Sequence, residues 1–428
     1  MYFMYNLLLF SISLLLVPFL LFAILSAQKY RSGFLQKLGF ISSSILQKLS
    51  GERPVWIHAV SVGEVMATIP LVQEIKRKYP NQKIVISTVT VTGNYTATLR
   101  AKEADAVVYF PFDYPFIVKR AIKKINPKLF ITLETELWPN FLRRLKRNGI
   151  SSVVISGRIS NRSYRKYRGA RFFFSKVLAN IDAFYMQTDL DAQRVIDIGA
   201  PHDRVITVGN LKFDQCVPTV TSEEKAQLYR AFHLDAGQRI FIAGSTHRGE
   251  EESVLEIFKT LKKRYADLIL ILAPRHPERF NEADNLISRH KLKSIKRTQL
   301  KQQKGPQHHD VILLDTIGEL SKLYSIGTII FVGGSLVPIG GHNILEPVAY
   351  KKAVIFGPHM DNFLEIARVL KDTGGGLQVA TKEEFLFQAQ KLLHDDTLRD
   401  ALGEKAFESI AHNQGTIEKA MEVIAKFI

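Results

Sequence analysis

The sequence predicts an α/β protein built from two consecutive doubly wound, Rossmann-like domains facing each other across a cleft, with an amino-terminal membrane-anchor helix. Three observations lead there. Short β-branched runs alternate with longer amphipathic ones, the signature of parallel strands joined by helices. That rhythm lapses once, in a polar, proline-containing stretch around residues 210–223, and then restarts. The first 28 residues carry no charged side chain. A length of 428 residues suits two domains of about 150 to 200 residues each. With 46% hydrophobic and 23% charged residues the chain is globular in composition, which excludes a disordered or fibrous protein.

Residues 1–28 are the expected anchor. From Leu7 to Leu25 the chain is apolar apart from Ser11, Ser13 and Pro18, just enough to cross a bilayer at about 1.5 Å per residue. A buried core helix is the plain alternative, and Pro18 leaves an in-plane hairpin open. The basic side chains follow the apolar run, at Lys29, Arg31 and Lys37, whereas a cleavable signal would carry them before it. The positive-inside rule then keeps the rest of the chain in the cytoplasm. A basic, Ser-rich linker is expected over 29–53. Every motif described below lies beyond Arg53, so a chain starting near Ser50 is expected to retain them all.

The first domain, 54–210, reads as strands at 55–59, 84–88, 106–109, 129–132, 152–155, 183–186 and 205–208, with amphipathic helices such as 64–79 between them. An interdomain linker is expected at 211–223. The second domain, 224–428, reads as strands at 239–243, 269–273, 311–314, 328–332 and 353–356. Its helical tail, 396–428, is long enough to reach back to the first domain. Such a pair places ligands at the carboxyl ends of the strands.

Charge narrows the partners. Lys and Arg number 58 against 41 for Asp and Glu, a net +17, which draws the molecule toward nucleic acid, an acidic membrane or a phosphorylated ligand. The single cysteine, Cys216, excludes an intrachain disulfide framework and a multi-cysteine metal site.

At the end of the first strand stands His58-Ala59-Val60-Ser61-Val62-Gly63-Glu64. Ser61 can cap the next helix with Glu64 as its capping-box partner. A carboxylate at the carboxyl edge of a parallel sheet is also well placed as a general base. A second acidic pair, Glu134 and Glu136, follows the fourth strand beside Trp138. Of the basic runs in this domain, most are solvated helix faces on the plain reading. The run that begins at Arg158 and continues through Arg162 and Arg165 is different, because it follows a strand directly and is interleaved with Tyr164, Tyr167 and Phe172 to Phe174. Arginine forks among aromatics beside an anchor suit a phosphorylated lipid. They also suit single-stranded nucleic acid, although no nucleic-acid motif accompanies them.

In the second domain three successive strand ends are friendly to anions: Gly244-Ser245-Thr246-His247, then Arg275-His276, then Gly333-Gly334-Ser335. Gly340-Gly341-His342-Asn343 then leads into a helix carrying Glu346. Together they point to a nucleotide. Neither the Lys-bearing phosphate loop of nucleotide triphosphatases nor the dinucleotide glycine fingerprint is present.

Taken jointly, these motifs resemble those of bacterial 3-deoxy-D-manno-octulosonic acid (Kdo) transferases. Ser156-Gly157-Arg158-Ile159-Ser160, Gly209-Asn210-Leu211-Lys212-Phe213-Asp214, Asp315-Thr316-Ile317-Gly318-Glu319-Leu320 and Gly357-Pro358-His359-Met360-Asp361-Asn362-Phe363 add to the match. The resemblance covers nearly the whole chain. It departs at Ile326-Gly327-Thr328, where relatives usually carry Ala-Asp, and that puts a turn rather than the chemistry in question.

The resemblance implies a GT-B glycosyltransferase that transfers Kdo from CMP-Kdo to the lipid A precursor, lipid IVA, with inversion and without a metal. It implies Glu64 as the catalytic base and Arg275 with the Gly244-to-His247 loop on the donor phosphate. Gly244, Ser245, Thr246, Arg275, His276, Gly333, Gly334, Ser335, Asn343 and Glu346 are expected at the donor, with Asn343 and Glu346 near the cytidine ribose or phosphate. Ser61, Glu134, Glu136, Arg158, Arg162 and Arg165 are expected at the acceptor. The implied place is the inner membrane with the catalytic domains in the cytoplasm, in contact with anionic lipid and with neither nucleic acid nor an obligate protein partner. Two rivals remain: a GT-B enzyme using a UDP-sugar on another lipid, and a non-catalytic basic scaffold, which leaves Glu64 and the glycine-rich strand ends without a purpose.

Overall fold

The structure, a computed structural model, describes residues 1–26, 31, 33–214, 220–300 and 308–428. It divides into two compact units, one of Met1–Gln215 with Asn413–Ile428 and one of Cys216–His412. Cys216, the start of the basic linker and part of the expected interdomain linker lie outside the described residues.

The first unit is built on seven parallel strands: β1 (Val55–His58), β2 (Ile84–Thr88), β3 (Ala106–Tyr109), β4 (Leu129–Leu133), β5 (Ser151–Gly157), β6 (Ala183–Met186) and β7 (Val205–Thr207), in the order β3-β2-β1-β4-β5-β6-β7. Alternate side chains feed two cores. Trp56, Phe130 and Val154 enter one, while Ile57, Ile131 and Val153 enter the other. β1 pairs with β2 on one side and β4 on the other, so the connections reverse direction there and the carboxyl ends of β1 and β4 flank a topological switch point.

The second unit repeats the plan with β8 (Ile240–Thr246), β9 (Ile269–Pro274), β10 (Ser294–Lys296), β11 (Val311–Leu313), β12 (Ile329–Val332), β13 (Val354–Phe356) and β14 (Gly376–Gln378), ordered β10-β11-β9-β8-β12-β13-β14. Its switch point lies between β8 and β12. The sequence pattern does not anticipate β10 or β14. Both are three-residue edge strands, one polar and one opening on glycine, so neither shows an apolar run.

Residues 211–214, expected in a linker, instead form a turn buried in the first unit, with Leu211, Lys212 and Phe213 inside. The Asp214 carboxylate accepts from the Gly415 and Ile417 amides at 2.7 and 2.9 Å, pinning the start of the helix Thr416–Ile424. That helix buries Ala420, Met421, Val423 and Ile424 in the first unit's core.

At the amino terminus lies the helix Tyr2–Ser26, whose Tyr5, Asn6 and Ser13 bond to the first unit. The Tyr5 hydroxyl donates to Asp113 at 2.9 Å, Asn6 accepts from Asn140 at 2.7 Å, and the Ser13 and Tyr114 hydroxyls are hydrogen-bonded. Phe3, Met4, Leu7, Leu8, Leu14 and Leu15 are exposed. Among the described residues no helix is long and apolar enough to cross a membrane.

The segment after it is part of the fold. Gln36 accepts from the Tyr109 amide at 2.8 Å, the Lys37 carbonyl accepts from the Phe112 amide at 2.9 Å, Leu49 is buried, and Ile41 and Ile45 pack on the same core. A chain starting at Ser50 keeps every motif but loses all of these contacts. Losing one buried and two half-buried aliphatic side chains costs about 3–5 kcal/mol. Differential scanning fluorimetry should therefore show it melting roughly 6–15 °C below a chain starting at Gly33.

Candidate active site

β1 ends at His58, and the chain turns through 59–61 into the helix Val62–Lys78. The sequence explains the turn: Ser61 is the N-cap, and its hydroxyl oxygen accepts from the Glu64 amide at 3.4 Å. The Glu64 carboxylate closes the capping box, accepting from the Ser61 amide at 3.2 Å and the Ser61 hydroxyl at 2.9 Å through Oε1, and from the Val60 amide at 2.9 Å through Oε2. Glu64 is 8% exposed. Burial first, and then the Glu134 charge, push its carboxyl up to about 7 against the pull of those donors.

Glu134 follows β4 directly and sits in the left-handed region at φ 53°, a conformation that costs a non-glycine residue about 1 kcal/mol or more. Its Oε1 pairs with the Lys212 ammonium at 2.8 Å. Burial favours the neutral acid here, but Lys212 and Arg158 outweigh it and hold Glu134 ionised. Glu136 is pushed up to about 7 by burial and then by the Glu64 charge, while the Trp138 indole pulls the other way. So the switch point of the first sheet gathers one fixed carboxylate and two that change state near neutrality. A carboxyl poised at the working pH is what general-base catalysis requires.

This arrangement fixes a pH profile. A base must be ionised, so kcat/KM should fall as pH drops through about 7. The Glu64 charge raises Glu136, and the repulsion between the two carboxylates is mutual. Glu136→Gln should therefore move the acid limb down by about half to one pH unit, as read from kcat/KM between pH 5 and 9. An unmoved limb would assign the titration elsewhere.

Other expected residues of this domain are brought in to different degrees. Arg158 reaches the Glu134 field, and its carbonyl accepts from the Thr135 hydroxyl. Arg162 and Arg165 lie exposed on the helix Asn161–Gly169. The sequence reading missed Lys212, although its motif was in view, because the partner Glu134 is 78 residues away. It also missed Asp113, whose buried carboxylate accepts from the Asn140 and Phe141 amides at 2.9 and 2.8 Å, capping the helix Pro139–Arg147 that follows the Glu134 loop.

In the second unit the expected donor residues gather at the carboxyl ends of β8, β9 and β12, which are adjacent. Ser245 is left-handed at φ 55°, next to a break in the β8–β9 register. Gly244 admits no side chain, since a Cβ would lie 2.0 Å from the Tyr324 hydroxyl. The Arg275 guanidinium is exposed and forms no ion pair among the described residues. His276 is exposed beside it. The Thr246 hydroxyl is spent on Glu251, 3.0 Å away. Asn343 folds back on its own helix start, accepting from the Leu345 amide at 3.1 Å and donating to Glu346 at 3.4 Å.

The loop at Gly333, Gly334 and Ser335 departs from expectation. The buried Glu250 carboxylate already accepts from the Gly334, Ser335 and Leu336 amides at 2.7, 2.9 and 2.9 Å, and from the His247 amide at 2.9 Å. These amides therefore brace two loops and are not an open phosphate cradle. Sequence alone could not assign them, because the brace comes from a residue 84 positions away.

The comparisons agree with this geometry. The family model described as 3-Deoxy-D-manno-octulosonic-acid transferase (kdotransferase) matches residues 32–215. A 3-deoxy-D-manno-octulosonic acid transferase of Haemophilus influenzae is 34% identical over 100% of this chain and 98% of its own. A bifunctional glycosyltransferase/methyltransferase of Fusobacterium nucleatum is 39% identical over 81% of this chain, which spans about half, 54%, of that longer protein. Among solved structures, a glycosyltransferase of Rickettsia africae superposes with a TM-score of 0.58 at 16% identity, covering 88% of this chain and 99% of its own, a likeness of fold alone. The chain is a two-domain α/β glycosyltransferase that belongs to the 3-deoxy-D-manno-octulosonic acid transferase family.

Proposed function

We propose that the chain transfers Kdo from CMP-Kdo to the lipid A precursor lipid IVA, with inversion and without a metal, at the cytoplasmic face of the inner membrane. The observation that carries this reading is the Glu64, Glu134 and Glu136 cluster at the switch point of the first sheet, with Glu64 poised near neutrality. Glu64 takes the proton of the acceptor hydroxyl as its oxygen bonds to the anomeric carbon. The bond from that carbon to the phosphate oxygen breaks, and its electron pair leaves with CMP. One displacement inverts the centre. The phosphate gains a negative charge as it departs, and the exposed Arg275 guanidinium, which forms no ion pair among the described residues, is suited to receive it. Arg158, Arg162 and Arg165 are assigned to the acceptor phosphates, and Asn343 and Glu346 to the cytidine. The exposed Phe3, Met4, Leu7, Leu8, Leu14 and Leu15 supply the membrane contact, and the +17 charge favours anionic lipid.

Mass spectrometry of the lipid formed from lipid IVA tests the reading. CMP-Kdo should add one or more Kdo units, and UDP-sugars should add nothing. Transfer from a UDP-sugar, or no transfer from CMP-Kdo by folded protein, overturns it.

A further inference from the structure

Two histidines of the second unit, His247 at the end of the expected donor loop and His342, which has no assigned role, meet directly. His247 follows β8, and His342 lies in the turn after β12. Their Nε2 atoms are 2.8 Å apart, the ring planes differ by 9° and the centroids are 5.0 Å apart. A 2.8 Å N···N contact and two ring radii account for that centroid distance, so the rings meet edge to edge in one plane, not face to face. One Nε2 donates to the other, which fixes opposite tautomers. The ring that donates keeps a bare Nδ1 able to accept a proton.

The fold maintains this contact from both sides. Glu250 binds the His247 amide and the Gly334 amide with one oxygen, holding the two loops in register. Gly334, at φ +66°, leaves the space the pair occupies: a Cβ there would lie 2.9 Å from His342 and 3.4 Å from His247. The charged and titratable groups facing the pair are Arg275, His276 and Arg279, the last paired with Glu251 at 2.7 Å and Glu282 at 3.3 Å, with the Glu250 carboxylate beside them. Burial first, and then His276, Arg279 and Arg275, hold His247 down to about 4; burial first, and then Arg275, His247 and His276, hold His342 down to about 3, so both rings are neutral. A dianion arriving among Arg275, His276 and Arg279 offsets that field, which makes proton binding more favourable than in the empty site.

Resting on the CMP-Kdo reading above, we propose that His247 and His342 are a two-imidazole proton reserve that becomes cationic when a phosphomonoester dianion occupies the carboxyl edge of the second sheet. The proton comes from solvent and enters the bare Nδ1, and the shared Nε2 hydrogen spreads the charge over both rings. In turnover the donor phosphodiester carries one negative charge and the departing CMP two. The reserve thus meets charge that exists only after the sugar bond breaks, which is the kind of interaction that accelerates the step. Glu250 is the rival for the proton, because burial raises its carboxyl, but protonation there would sacrifice bonds from amides that already fill both its oxygens.

Calorimetric titration of CMP into the whole protein at pH 8, in buffers of different ionisation enthalpy, tests this. CMP is itself a dianion there, its second pKa lying near 6, so any proton taken up is bound by protein. The parent should take up about 0.5 to 1 proton per CMP and lose up to about tenfold in affinity per pH unit above pH 8. Cytidine should take up none. His342→Gln should still bind CMP with uptake near zero, and His247→Gln makes the same test should the first variant not fold. Buffer-independent CMP binding by the parent, or uptake that survives loss of either ring, overturns the reserve while leaving the donor reading intact. Absence of CMP binding overturns the donor reading and the reserve with it.

Discussion

Glu64→Gln should cut turnover by about 10²- to 10⁴-fold at saturating donor and acceptor, with melting within a few degrees of the parent. The two readings of Glu64, helix cap and general base, are both realised in one side chain, and this substitution separates them. The carboxylate accepts from the Ser61 amide and hydroxyl through one oxygen and from the Val60 amide through the other. Glutamine keeps one of those oxygens. A lost capping contact costs about 0.5–2 kcal/mol, and removing an ionisable group that burial and Glu134 disfavour at neutral pH returns part of it. A glutamine amide cannot take a proton from a sugar hydroxyl. Folded variant with turnover within about threefold of the parent would leave Glu64 as a cap. Glu136, the other carboxyl pushed up to about 7, would then be the candidate base.

What could be read in advance follows how local each interaction is. The strand end, N-cap and carboxylate of the first motif fall within seven consecutive residues, 58–64, so capping rules and sheet topology locate Glu64 from sequence alone. Long apolar strands such as β4 and β5 were legible for the same reason, while the three-residue edges β10 and β14 carry no periodicity to read. The electrostatics of the site are non-local. Lys212 reaches Glu134 from the turn expected to be a linker, and Glu250 reaches across to three amides of the Gly333 loop. Both are buried charges whose partners no spacing rule identifies. The glycine loops therefore invited a phosphate-cradle reading that the Glu250 brace replaces.

Lys212→Met should destabilise the first unit and move its pH profile together, which neither a surface ion pair nor a substrate contact would do. Lys212 is 7% exposed, and its ammonium lies 2.8 Å from the Glu134 carboxylate. Removing one partner of such a pair strands the other charge, at a cost of about 3–5 kcal/mol when burial is complete. Glu134 keeps 27% of its side chain exposed, so about 2–3 kcal/mol is expected here. Glu134 can relieve that cost by taking a proton, as can Glu64, which loses a positive neighbour that draws it down. The sign follows: both carboxyls rise, so kcat/KM falls at neutral pH and its acid limb moves upward, with partial recovery toward pH 9. Glu134→Gln added to Lys212→Met removes the stranded charge and should restore about half or more of the lost stability, a coupling that melting curves of the four-member cycle measure directly. If the single variant melts like the parent and keeps its pH profile, the Lys212–Glu134 pair is too well solvated to set the charge state of the site, and Glu64 owes its poise to burial and Glu134 without Lys212.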